Sequence, residues 1–170
     1  MRRQIILIAH NIRSTHNIGS LLRTAEGLGV ETIYLTGYTP YPQMPHDNRL
    51  PHLAQKIDKQ IHKTALDAEA LVNWKRHDDI LELLETLKTQ GFTVAAVEQT
   101  AKSLKLPDFE PPQKIALIVG REVEGIEPEV VAASDYCLEI PMFGKKESFN
   151  VVQAAAMALY HCRFAADLVQ

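Results

Sequence analysis

Apolar positions along this chain follow two rhythms that alternate from beginning to end. Short unbroken runs, "QIILIA" at 4–9, "FTVAAVE" at 92–98 and "KIALIVG" at 114–120, predict strands buried on both faces. "TIYLTG" at 32–37 and "YCLEIP" at 136–141 obey the same rule. Between these runs the apolar residues recur at helical spacing. Ile18, Leu21, Leu22, Ala25 and Leu28 form one stripe, with Asn17 placed to cap its start and Gly29 to end it. "DDILELLETLKTQG" predicts an amphipathic helix closed by Gly91. "EPEVVAAS" predicts a short helix with Pro128 in its first turn, and a long one runs from about Asn150 to Leu168. Two signals are weaker: "ALVNW" reads as a short strand, and "HLAQKIDKQIH" as a small helix. The proline-rich stretch "YTPYPQMPHDNRLPHLAQ" predicts a surface excursion, long enough to be a functional loop.

Alternating strands and helices predict one α/β domain spanning residues 1–170, a mostly parallel sheet with helices on both faces. The length of 170 residues fits a single core. Ligands of such open sheets bind beyond the carboxyl ends of the strands, so the chemistry is sought in the loops that follow them.

Composition changes this picture little. A chain 46% hydrophobic and 23% charged is ordinary for a soluble protein. No apolar run reaches the roughly 18 residues of a membrane helix. The run from Ile5 to Ala9 is too short for a signal-peptide core, so a cytoplasmic protein is expected. Cys137 and Cys162 lack metal or redox spacing and read as buried reduced thiols. The seven histidines are scattered, and no metal site is expected. A net charge of −3 excludes nucleic-acid coating by global charge but leaves room for a local basic patch.

Three loops carry candidate chemistry. In "HNIRSTHNIGSLLRTAEG", Asn17, Gly19 and Arg23 fall together, either as a cap with a solvated arginine or as a site. In "LIVGREVEGIEPE", Gly120 follows a strand, with Glu122 and Gly125 close behind. The glycine serves a tight turn or the close approach of a ligand; its spacing is not that of a dinucleotide fingerprint. "FGKKESFNVVQAAA" has a glycine before a helix start but no GK[ST], which excludes a P-loop. Ser148 and Asn150 are candidate caps there. No glycine-rich turn follows the first strand, which argues against an unrelated nucleotide-dependent enzyme on a doubly wound sheet.

Taken in order, "NIGSLLR", "IVGREVEG" and "IPMFGKKESFN", with "KTALDAE" at 63–69, resemble the motifs of the SpoU-type (TrmH-like) RNA 2′-O-ribose methyltransferases of the SPOUT superfamily. The resemblance covers nearly the whole chain. Phe149 stands where leucine is commoner, and Val152 where a small polar residue is. The resemblance implies a C-terminal trefoil knot, a homodimer, and S-adenosylmethionine held by Val97, Gly120, Ile140, Met142, Ser148 and Asn150. It implies a minimal catalytic domain with no appended RNA-binding module. By the same resemblance Arg23 leads the catalytic set, with Asn17, Glu122, Ser148 and Asn150 positioning it, the substrate and the cofactor loops. RNA contacts are expected from Arg13, Arg23, Arg49, Lys145 and Lys146, and from Arg3. Transfer RNA is favoured over ribosomal RNA as substrate. The rival within the same fold is a knotted RNA-binding protein without catalysis.

Overall fold

The computed structural model describes residues 2–165. Along the chain it runs β1 (Gln4–His10), α1 (Thr15–Gly27), β2 (Thr32–Thr36), α2 (Pro51–Ala65), α3 (Ala68–Leu71), β3 (Trp74–His77) and α4 (Ile80–Thr89). There follow β4 (Thr93–Val97), β5 (Leu104–Lys105), β6 (Lys114–Val119), α5 (Pro128–Ala133), β7 (Tyr136–Glu139) and α6 (Val151–Phe164). All seven strands pair in parallel in the order β3-β2-β1-β6-β4-β7-β5.

Successive side chains of a strand point to opposite faces, and both faces of this sheet are covered. Ile5, Leu7 and Ala9 of β1 join Leu21 and Leu22 of α1, Ile61 of α2 and Ala155 and Leu159 of α6 in one core. Ile6 and Ile8 point the other way, to Leu83, Leu84 and Leu87 of α4 and Val130 of α5. Full burial of each such side chain contributes about 1.5–3 kcal/mol. The unbroken apolar runs of β1 and β6 follow from this double cover. Strand order reverses beside β1, where β6 inserts between β1 and β4. Such a switch point opens a crevice at the carboxyl ends of the strands.

Local details correct several sequence expectations. Ser14, not Asn17, caps α1: its backbone is extended and its Oγ accepts the Asn17 amide at 3.2 Å. "ALVNW" is not a strand; α3 occupies its start, and pairing with β2 begins only at Trp74. The weak helix signal at 52–62 is a fifteen-residue helix with Pro51 at its first position. That proline lacks only a donor the first turn does not use. Asn150 caps α6 through Oδ1, which accepts the Val152 amide at 2.9 Å, whereas Ser148 caps nothing. Leu168, the expected end of that helix, lies outside the described residues.

Two arginines fasten the end of α6. Arg163 donates to the carbonyls of Leu28 (3.0 Å), Arg3 (2.7 Å) and Gly29 (2.8 Å). Arg3 donates in turn to the carbonyls of Cys162 (2.8 Å) and Pro111 (3.0 Å). Arg3 is therefore a structural cross-link and not the RNA contact expected of it. Cys162 beside it is free and buried, and burial pushes its thiol up to about 12. Cys137 is free but less buried than expected: it is half-buried, and its thiol donates to the Glu98 carbonyl at 3.3 Å.

Candidate active site

A cleft opens where the ends of β4, β6 and β7 meet the start of α6. Val97 lines it from β4, Gly120 and Glu122 from the loop after β6, Ile140 and Met142 from the segment after β7, and Ser148 from the approach to α6. Five of the six expected cofactor residues thus share one cavity. Asn150 does not join them, because its side chain is spent on the helix cap. Gly120 is required by its own loop: a Cβ there would overlap Ile126 Cγ1 and crowd the Gly125 backbone.

The loop from Gly120 to Glu127 is held by three carboxylates. Glu122 Oε1 accepts from Asn17 Nδ2 at 3.0 Å and from the Ser14 amide at 3.4 Å, which brings together two expected site residues 105 positions apart. Glu98 accepts the Ile126 amide at 2.9 Å through Oε2 and the Gln99 amide at 2.9 Å through Oε1. Glu127 Oε1 accepts from Asn11 Nδ2 at 2.7 Å, and its Oε2 lies 3.2 Å from His10 Nε2. His10 Nδ1 lies 2.8 Å from Thr36 Oγ1, and burial holds this imidazole below its ordinary pKa despite the neighbouring carboxylate. Burial works to raise Glu127, but its own amide, Asn11, His10 and Arg121 prevail and hold it below the usual carboxyl value.

Lining of the cleft also includes Glu98, Glu139 and Glu147, with Arg121 the one basic residue. Arg121 is engaged: its Nε donates to the Gly125 carbonyl at 3.1 Å and Nη2 stands 3.7 Å from Glu127. Sequence reading missed these carboxylates. The signal was Glu98 directly after an apolar strand, a position at the carboxyl end by construction. A cleft with surplus negative charge repels phosphate and suits a cationic ligand.

Arg23 stands elsewhere. It is exposed and does not line the cleft. At 100° per residue it lies about 120° around α1 from Asn17 and within about 40° of Gly19. That side of α1 meets α2, where a Cβ at position 19 would overlap Thr64 Oγ1 and the Ile61 carbonyl. The chain therefore separates Arg23 from its own cleft while joining Asn17 to it.

Of the expected RNA contacts, Lys145 and Lys146 are exposed in the loop before α6. Arg13 is 71% exposed and lies 3.7 Å from Glu124. Arg49 is not available. It donates to Asp47 Oδ1 at 2.8 Å, to the Tyr41 carbonyl at 2.9 Å and to the Pro42 carbonyl at 3.1 Å, and it stacks over the Tyr41 ring at 3.7 Å. Its guanidinium holds the Asp47 carboxyl well below the usual range. Arg49 braces the 38–50 loop. No helix among the described residues is long and apolar enough to cross a membrane.

Residues 4–160 match the model of the SpoU rRNA Methylase family, and the chain belongs to that family. It is 26% identical over 95% of its length to the tRNA (guanosine(18)-2'-O)-methyltransferase of Aquifex aeolicus, of which it covers 70%. It is 29% identical over 92% of its length to the mouse tRNA (guanosine(18)-2'-O)-methyltransferase TARBP1. The chain spans only 9% of that mouse relative. In fold it superposes on the SpoU methyltransferase AviRb from Streptomyces viridochromogenes, solved with the cofactor AdoMet. The TM-score is 0.80 at 19% identity, with 98% of this chain and 59% of that one covered.

Proposed function

We propose that the protein is a homodimeric S-adenosylmethionine-dependent methyltransferase acting on the ribose 2′-OH of RNA, with tRNA as substrate. The observation that carries this reading is the cleft at the carboxyl ends of β4, β6 and β7. Its walls are apolar at Ile140 and Met142, and its surplus charge is negative. That combination fits a flat adenosine joined to a sulfonium. When bound, S-adenosylmethionine supplies a methyl group already activated by the positive sulfur.

The chain's task is then to orient a ribose hydroxyl and ease departure of its proton. Arg23 is the residue proposed for it. A guanidinium stays protonated at any working pH, so Arg23 grips an RNA phosphate and polarises the 2′-OH. The proton leaves to that phosphate or to water. The family resemblance implies that Arg23 acts at the cleft of a second copy, and its place outside its own cleft supports that reading. Asn17 and Glu122 hold the β6 loop against the start of α1, and Ser148 lies at the cofactor. Asn150 sets the start of α6, which forms part of the cleft wall. Arg13, Lys145 and Lys146 add RNA contacts at the rim. The threading of α6 through a trefoil knot and a cytoplasmic location belong to the same proposal. Support for tRNA comes from the names of the Aquifex and mouse relatives.

Incubation with bulk tRNA and S-adenosylmethionine labelled in its methyl group tests this. Arg23→Ala is expected to cut label transfer by about a hundredfold or more and to leave cofactor affinity within about twofold. Unchanged turnover in that variant overturns the assignment.

A further inference from the structure

We infer that the outer face of α2 is a track for the RNA backbone, leading to Arg23. This rests on the RNA reading above and names a surface that reading does not contain. His52, Lys56, Lys59 and Lys63 are spaced by four, three and four residues. At 100° per residue they fall within about 60° of one line along the helix. All four are exposed. Directly opposite lie Ala54, Ile57, Ile61 and Ala65, three of them buried and Ile57 packed against the core.

A charged outer face on a helix is usually just solvated, and such a face mixes signs. This one does not. The acid within α2, Asp58, is turned to the neighbouring loop, where its Oδ1 accepts the Gln43 amide at 2.8 Å. His62, off to one side, is paired with Glu69 and lies 3.9 Å from Asp67. None of the three lysines forms an ion pair among the described residues. The contrast with the far side of the sheet is sharp. Helices α1, α2 and α6 carry five Lys or Arg against two acids, whereas α4 and α5 carry one lysine against three. The helices of one layer therefore carry more cations than acids, and three of those five cations lie on one line.

Placement completes the case. Thr64 Oγ1 donates to the His16 carbonyl at 2.8 Å, and Gly19 lets α2 approach the α1 backbone directly. Arg23 is one turn beyond that crossing on the same side of α1. From His52 to Lys63 the line is about 16 Å long, room for more than one phosphate of a strand.

The test is RNA binding by the full chain across a salt series, using bulk tRNA as the probe. Lys56→Gln, Lys59→Gln and Lys63→Gln combined are expected to weaken binding about tenfold or more. The slope of log affinity against log salt should fall by about 2, at roughly 0.7–0.9 per lost phosphate contact. Lys88→Gln on α4 is expected to change neither, and cofactor affinity is expected to stay at the wild-type value in both variants. An unchanged affinity and slope in the triple variant overturns the track while leaving the proposed function standing. A triple variant that changes sedimentation but not the RNA slope also overturns it, by making the stripe a contact between copies. If the wild-type protein binds no RNA at all, the proposed function falls and the track with it.

Discussion

His10 shows how much of a residue's role depends on neighbours that a single sequence does not place. In the sequence it is one of seven scattered histidines. In the fold it is 6% exposed, between Thr36 and Glu127. Its imidazole is held below the ordinary value of 6.5 by burial, so the unfolded chain binds the proton more readily. The contribution of His10 is then complete above about pH 6.5 and is lost as the pH falls below it. Glu127, held below its usual value, is lost in the same direction but at more acid pH. Thermal melts from pH 7.5 to 5 are expected to show a steeper acid loss for wild type than for His10→Gln; parallel curves would refute this origin. The same dependence on distant partners hid the role of Arg3, whereas the Arg49 guanidinium is taken by Asp47 and the Tyr41 and Pro42 carbonyls within its own loop. Asn17 and Arg23 stand together in the sequence only as parts of one motif, and their helix turns them to different neighbours.

Elements were more legible than residues. The strands and the amphipathic helices α1 and α4 followed from apolar spacing, because double burial and one-sided burial leave different patterns. The start of α1 was misplaced by three residues, since Ser14 and Asn17 are equally good caps by type. Helix α2 was underrated because much of its surface is polar, its identity resting on tertiary contact with α1. That contact explains the motif glycine. Gly19 is where two helix backbones meet, and any side chain there must push α2 away. Gly19→Ala is expected to destabilise the fold by about 1–3 kcal/mol, the usual range for overpacking. Urea denaturation reads this directly, and a stability equal to wild type would show that the crossing is looser than described.

Across the whole molecule, charge is unevenly placed. Glu98, Glu122, Glu139 and Glu147 line the crevice where a cation would sit, and the cations of α1 and α2 lie on one side of the sheet. Strand order sets β6, β4 and β7 side by side, so that their carboxyl ends share one crevice. The parallel α/β class was legible from alternation alone. The order of strands was not, because parallel pairing joins segments far apart in the chain: β1 pairs with β6 over Gln4–Ala9 and Lys114–Val119. The most direct check on 2′-O-methylation is nucleoside mass analysis of tRNA after incubation with the protein and S-adenosylmethionine. A 2′-O-methylated nucleoside that depends on both protein and cofactor is expected. Methylation confined to a base, or no new methylated nucleoside in any RNA offered, would contradict it.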